Sequence, residues 1–203
     1  MKQVDKEAYQ FECYVGLDRW SSYYYQLREI LAQKPGSVLE VGAGDRVVGN
    51  YLKDHSIAYT SADIAEDLSP DVVADVTALS FADNAFDLVC AFEVLEHLPF
   101  EKFEQALREL KRVSKRGIII SLPHFGPSIK LSFKIPFLPE VHFAFKIPYP
   151  RRHVFNGQHY WEIGKRGYPV SHVRNILEKY FLIEKEFVPF GNQYHHFFAL
   201  HKK

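Results

Sequence analysis

Cysteine is almost absent from the chain, since only Cys13 and Cys90 occur in 203 residues. Two thiols cannot build the three-cysteine site of a radical iron–sulfur enzyme, a four-cysteine zinc site or a disulfide-stapled scaffold. Cys90 lies inside the apolar run Phe86-Asp-Leu-Val-Cys-Ala-Phe92, where a thiol acts as a small buried hydrophobe. This usage suits a reducing cytoplasm, the expected location. Long apolar stretches are also lacking: none approaches the roughly 18 residues of a membrane span. The chain opens Met-Lys-Gln-Val-Asp-Lys-Glu without an apolar h-region, so neither export nor insertion is expected. Charge of one sign is missing too. Lys plus Arg and Asp plus Glu number 25 each, so a wide surface for duplex nucleic acid is not expected.

Apolar residues make up 47% and charged residues 25%, ordinary globular usage that excludes disorder. A second independent core would need roughly 100 residues of its own, so residues 1–203 are expected to form one domain. Apolar positions at Trp20, Tyr23, Tyr24, Leu27, Ile30 and Leu31 have the spacing of one helical face. They predict a helical cap over about 1–35, stopped at Pro35-Gly36. The chain then alternates. A strand at Ser37-Val-Leu-Glu-Val41 leads through Gly42-Ala-Gly44 into a helix of about ten residues. Strands follow at Ile57–Thr60, Val72–Ala74 and Phe86–Phe92. Next come a helix with Phe103, Ala106, Leu107, Leu110 and Val113 on one face, and the strand Gly117–Ser121. Lys111, Arg112, Lys115 and Arg116 are read as basic residues of that helix's last turns, favourable to its dipole. Strands alternating with helices predict a doubly wound, mostly parallel α/β sheet.

Another helix is expected from about Pro169. The final strands, Phe181–Val188 and Tyr194–His201, are separated only by Pro189-Phe-Gly-Asn-Gln193. That link is too short for a helical crossover, so the pair must be an antiparallel hairpin. Seven strands result. The stretch from Pro123 to about Tyr168 breaks the pattern and holds six of the eleven prolines. Ile129, Leu131, Phe133 and Ile135 alternate with Lys130, Ser132 and Lys134, and Val141, Phe143, Phe145 and Ile147 alternate with His142, Ala144 and Lys146. An inserted amphipathic hairpin is therefore expected within 123–168.

The two glycines after the first strand let backbone approach a ligand at a helix N-terminus, which suits a nucleotide-like molecule. Asp63 follows Gly44 by 19 residues at the end of the second strand, where a ribose's hydroxyls would lie. A dinucleotide fingerprint requires a third glycine at position 47, where Val47 stands, so a pyrophosphate ligand such as NAD is disfavoured. Asp63 and Asp75 each follow an apolar run, at the carboxyl edge where open parallel sheets bind ligands; either could instead be a helix N-cap. Phe92 ends the fourth strand, as a wall of the same crevice or as part of the core.

From Ser37 to the C-terminus the chain resembles the class I S-adenosylmethionine-dependent methyltransferases. Glu40-Val-Gly-Ala-Gly44 is similar to their first motif and Asp63-Ile64 to their ribose-binding acid and its neighbour. Asp75-Val76 opens a segment like the one that holds adenine, and Phe86–Leu98 resembles the fourth strand and its exit. The resemblance implies a seven-stranded Rossmann-like methyltransferase fold ending in an antiparallel hairpin, with S-adenosyl-L-methionine as cofactor. It implies cofactor contacts at Glu40, Gly42, Ala43, Gly44, Asp63, Ile64, Asp75, Val76 and Phe92. The expected reaction moves a methyl group to an oxygen or nitrogen of a small molecule, an in-line displacement needing proximity and water exclusion. Aromatic faces of Tyr23, Tyr24 and Tyr25 could steady a sulfonium, although core packing accounts for each tyrosine more simply. Arg19 is a candidate for a carboxylate of cofactor or substrate, or a solvated arginine.

Glu93, Glu96 and His97 form Glu-x-x-Glu-His at the start of a helical turn. His97 and Glu93 are the candidate catalytic residues, His97 as a base near neutral pH. The same motif is similar to one in small-RNA 3′-end 2′-O-methyltransferases and ubiquinone-pathway O-methyltransferases that holds a divalent metal. That likeness implies Glu93, Glu96, His97 and His159 as ligands, and the metal-free reading is preferred to it. His124, His153, His159 and Trp161 are candidate substrate contacts. The 123–168 insertion occupies the place of an acceptor lid, yet a homodimer arm and a peripheral contact with an anionic membrane remain open. An RNA-end methyltransferase, disfavoured by zero net charge, and a non-catalytic partner protein are the rival functions.

Overall fold

The computed structural model describes residues 6–9 and 11–203; the parts of the helical cap at 1–5 and 10 lie outside the described residues. Helices α1 (Phe11–Tyr14) and α2 (Leu17–Ala32) precede β1 (Ser37–Val41), α3 (Val47–Asp54), β2 (Ala58–Asp63), β3 (Val72–Val73) and β4 (Phe86–Phe92). There follow α4 (Phe103–Val113), β5 (Ser114–Pro123), β6 (Ser128–Phe133), β7 (Val141–Lys146), α5 (Val170–Tyr180), β8 (Phe181–Phe187) and β9 (His195–Lys202). Seven strands form one sheet in the order β3-β2-β1-β4-β5-β9-β8. Every pair through β4–β5 is parallel, and β5–β9 and β9–β8 are antiparallel. The α/β sheet with its closing hairpin is the one the sequence predicts.

Strand alternation sorts side chains between two cores. Leu39, Val89, Ala91, Ile118, Ile120 and Leu122 face α4 and α5. Val38, Leu88, Cys90, Phe92 and Ile119 face α2 and α3. Helix α4 seals its side with Phe103, Ala106, Leu107, Leu110 and Val113, all fully buried, each of the four larger side chains contributing roughly 1.5–3 kcal/mol relative to exposure.

One expectation is corrected at the end of α4. The helix stops at Val113 and β5 begins at Ser114 without a loop, so Lys115 and Arg116 lie on a strand rather than in the helix's last turn. Lys115 pairs with Asp87 at 3.1 Å, and the Arg116 guanidinium donates to the Gln33 carbonyl at 2.9 Å. Arg112 does not act only through the helix dipole. It donates to the carbonyls of Phe81 and Leu79 at 2.7 and 2.8 Å and to the carboxylates of Glu109 and Asp83. That fork fixes the 77–83 segment against the helix.

The 123–168 insertion contains the small β6–β7 sheet, whose register pairs Ile129 with Phe145, Leu131 with Phe143 and Phe133 with Val141. Its polar face is the one turned to the domain. His142 packs on Phe190 with ring centroids 4.4 Å apart, and the Lys130 ammonium lies 5.5 Å from the same ring. Its apolar face is open to solvent.

Candidate active site

The carboxyl ends of β1, β2 and β4 open onto a cavity of about 340 Å³. Gly42, Asp63, Ile64, Asp75, Val76, Glu93 and His97 are in its wall. A smaller cavity of about 50 Å³ shares Tyr9, Gly42 and Glu93 with it and is further lined by Glu40, Ala43, Gly44 and Phe92. All nine residues singled out for the cofactor therefore meet in two adjoining spaces.

The local chain explains why. Gly42 has φ +76°, and a Cβ there would stand 2.3 Å from Val94 Cγ2. Only glycine allows both the left-handed turn and the close approach. Its amide donates to the Ala62 carbonyl at 2.8 Å, tying the loop to β2. Asp63 ends β2 and its Oδ1 accepts the Ala65 amide at 2.9 Å. Burial, only partly offset by that hydrogen bond, raises its pKa above the ordinary carboxylate range. Asp75 differs: burial acts against its charge, but the Thr77 amide and hydroxyl donate to Oδ1 at 2.8 and 2.7 Å and hold its pKa below that range. Glu40 is fully buried beneath the glycine turn. Burial pushes its carboxyl up to about 7 against the Tyr59 hydroxyl, which donates to it at 2.6 Å.

Glu93 follows β4 with φ +54°, an uncommon conformation for a residue with a side chain. Its carboxyl is walled into both cavities, and burial raises its pKa to about 8. Oε2 lies 3.6 Å from His195 Nε2, while Oε1 has no hydrogen-bond partner. His195 is held from behind by Ser22 Oγ, 3.0 Å from its Nδ1, and Ser22 in turn accepts the Asn192 amide at 3.0 Å. Burial depresses His195 to about 3, so its ring is neutral. The sequence drew no attention to His195.

The structure brings Glu96, His97 and His159 together, with one donor atom from each within 4.8 Å of the others. Glu93 is outside this group because its carboxyl turns toward His195, which corrects the expected four-ligand set. Glu96 is completely buried, and neither carboxyl oxygen has a hydrogen-bond partner. His97 Nε2 and His159 Nε2 stand 3.9 and 4.0 Å from Glu96 Oε1. Each imidazole is anchored through its other nitrogen: His97 Nδ1 donates to the Gln158 carbonyl at 3.1 Å, and His159 Nδ1 is 3.2 Å from Glu162 Oε1. Burial lowers the His97 pKa to about 4.

The other expected substrate contacts lie elsewhere. Trp161 is fully buried among Phe100, Phe103 and Tyr168, so it is a core residue rather than an acceptor contact. His124 is also buried, its Nδ1 2.9 Å from that of His196, and it lines neither cavity. His153 donates from Nε2 to the His159 carbonyl at 2.8 Å, behind the site. From the insertion, Tyr160 alone reaches the larger cavity. The N-terminal segment brings the candidates Arg19 and Tyr23 to the smaller cavity together with Asp45, and adds Tyr9 and Tyr14, which the sequence left unassigned. The Tyr23 hydroxyl donates to the Asp45 carboxylate. Tyr24 is exposed instead, and Tyr25 packs on Phe187.

Sheet order and the closing antiparallel hairpin match the Rossmann-like methyltransferase fold. Residues 39–122 match a family described as a methyltransferase domain, the stretch from β1 to β5 that builds the site. The PH0226 protein of Pyrococcus horikoshii OT3 superposes with a TM-score of 0.63 at 17% identity, over 98% of this chain and 100% of that one. The 1,6-didemethyltoxoflavin-N1-methyltransferase of Burkholderia thailandensis, solved with its acceptor and S-adenosylhomocysteine, gives 0.62 at 15% identity, covering 93% and 79%. The magnesium protoporphyrin IX methyltransferase of Synechocystis PCC 6803, solved with S-adenosylhomocysteine, gives 0.61 at 14% identity, covering 92% and 84%. No curated protein matches the chain.

Proposed function

We propose that the protein is an S-adenosylmethionine-dependent methyltransferase acting on an oxygen or nitrogen of a small molecule. The observation that carries this reading is the convergence of the glycine turn, Asp63 and Asp75 on one cavity of about 340 Å³. In this reading the Asp63 carboxylate accepts a ribose diol, and Asp75 with Val76 holds the purine edge. Arg19, in the wall of the smaller cavity, is the cation for an amino-acid carboxylate. The bound sulfonium supplies an activated methyl group. The chain's own residues orient the acceptor, exclude water and take its proton. His97 lines the cavity, and burial keeps its imidazole neutral and able to accept a proton while lowering its basicity below the near-neutral value expected from the sequence. Calorimetric titration with S-adenosylmethionine and with NAD tests the reading. Tight NAD binding with no response to S-adenosylmethionine would refute it.

A second reading, that the acceptor is a hydroxyl held by a divalent metal, is favoured by the orphaned Glu96 carboxyl. A completely buried carboxyl without a partner costs free energy, and two imidazole Nε2 atoms face it. Anchoring each histidine through Nδ1 is the usual support of a metal ligand, and a His₂–carboxylate donor set suits manganese or zinc better than magnesium. The donor atoms would close by about 1 Å around an ion. Titrating the protein with Mn²⁺ and Zn²⁺ should raise its melting temperature, and His159→Ala should abolish the rise. No rise with the parent protein removes the metal, leaving His97 as base. The RNA-end variant of this reading requires binding of short RNA by a chain without net positive charge.

A further inference from the structure

The apolar face of the β6–β7 hairpin is turned the wrong way for a lid. Within β7, Ala144 and Lys146 on the polar side are half-buried, whereas Val141, Phe143 and Phe145 are exposed. Ile129, Leu131 and Phe133 on β6 are exposed with them, and Phe137 and Leu138 project at the tip, Phe137 completely. No residue of β6 or β7 lines either cavity. A continuous apolar face of this extent on a soluble domain marks a surface that meets a partner.

The charge around it selects the partner. Lys134, Arg151 and Arg152 stand at the ends of the hairpin against Glu140, whereas Lys130 and Lys146 lie on the face turned to the domain, over Phe190 and on the Gly126 carbonyl, so a chain without net charge carries about two positive charges along the exposed edge. A two-fold contact between copies would set those basic residues against themselves. An apolar ribbon edged by lysine and arginine stems matches the boundary of an anionic bilayer, where aromatic rings enter the interface and ammonium and guanidinium groups reach the phosphates. We propose that the β6–β7 hairpin docks the protein onto an anionic membrane surface, apolar face inward and basic flank in the headgroup layer. The inference does not depend on the chemistry of the active site.

Co-sedimentation of the whole protein with vesicles tests it, using phosphatidylcholine alone and phosphatidylcholine with about one third phosphatidylglycerol. Binding is expected to the anionic vesicles, to weaken by about tenfold or more in Arg151→Glu/Arg152→Glu, and to fall similarly in Phe137→Ser/Leu138→Ser. All four side chains are exposed, so the variants should keep the parent's melting temperature and cofactor affinity. Equal binding to both vesicle types would overturn the electrostatic half of the proposal. Failure to bind either vesicle would overturn the whole. So would a dimer in light scattering that Phe143→Ser dissolves without any vesicle binding, which assigns the face to a second copy.

Discussion

Replacing Asp63 by alanine isolates the contact on which the cofactor reading turns. Asp63 Oδ1 already accepts the Ala65 amide at 2.9 Å, and the residue lines the cavity. A hydrogen bond to a charged acceptor contributes about 1.5–3 kcal/mol. One to two of them, less what water regains in the variant, come to about 2–4 kcal/mol. The dissociation constant for S-adenosylmethionine should therefore rise by roughly 30- to 1,000-fold. The fold should tolerate the change, because burial already opposes the Asp63 charge. The melting temperature is expected to move little. Isothermal titration of parent and variant, with circular dichroism as the control for folding, reads both quantities. Because burial raises the Asp63 pKa, parental affinity should decline on acidification earlier than an ordinary aspartate would dictate, and the variant should lack that component. A variant that binds S-adenosylmethionine within about threefold of the parent would refute the placement of the ribose.

Gly42→Ala should be severe for its size. Left-handed backbone costs about 1–2 kcal/mol for a residue with a Cβ, and the approach to Val94 adds about 1–3 kcal/mol of overpacking, readable as a lower denaturant midpoint with loss of cofactor binding. Glu186 governs acid stability. Burial opposes its charge, but His196 and Arg174 donate to it and hold its pKa down at about 2, below the ordinary 4.5. Its contribution is thus complete above pH 4.5 and lost as pH falls through 2. It amounts to at most about 3 kcal/mol, and Glu186→Gln should flatten the acid limb of a pH–stability curve measured by urea unfolding.

The sheet was legible because its central strands are continuous apolar runs. Ser37–Val41 and Phe86–Phe92 appear in the structure with the predicted bounds. The acids were legible because chain order puts Asp63 and Asp75 after such runs, at one edge of the sheet. Helix periodicity could not reveal which polar side chains of the N-terminal segment turn inward. Arg19 and Tyr23 reach the smaller cavity through the packing of α2 on the sheet, and Tyr14 reaches it from the end of α1. His195 opens β9, an inner strand buried along most of its length, and its partners Glu93 and Ser22 are remote in sequence. Trp161 misled because an aromatic beside two histidines resembles a binding element, whereas its bulk fills the core beneath α4. Alternation along β6 and β7 defined two faces without saying which one the domain would keep.

The contact of Ser22 with His195 joins the first long helix to the last strand, and His195 passes the connection on to Glu93. Gly191 admits the same helix so closely that a Cβ there would meet Ser21 Oγ at 1.9 Å. The chamber walled by Tyr14, Arg19 and Tyr23 is consequently framed by a helix that is latched to the far end of the chain, so a change at Gly191, Asn192 or His195 should be felt by a ligand that none of them touches.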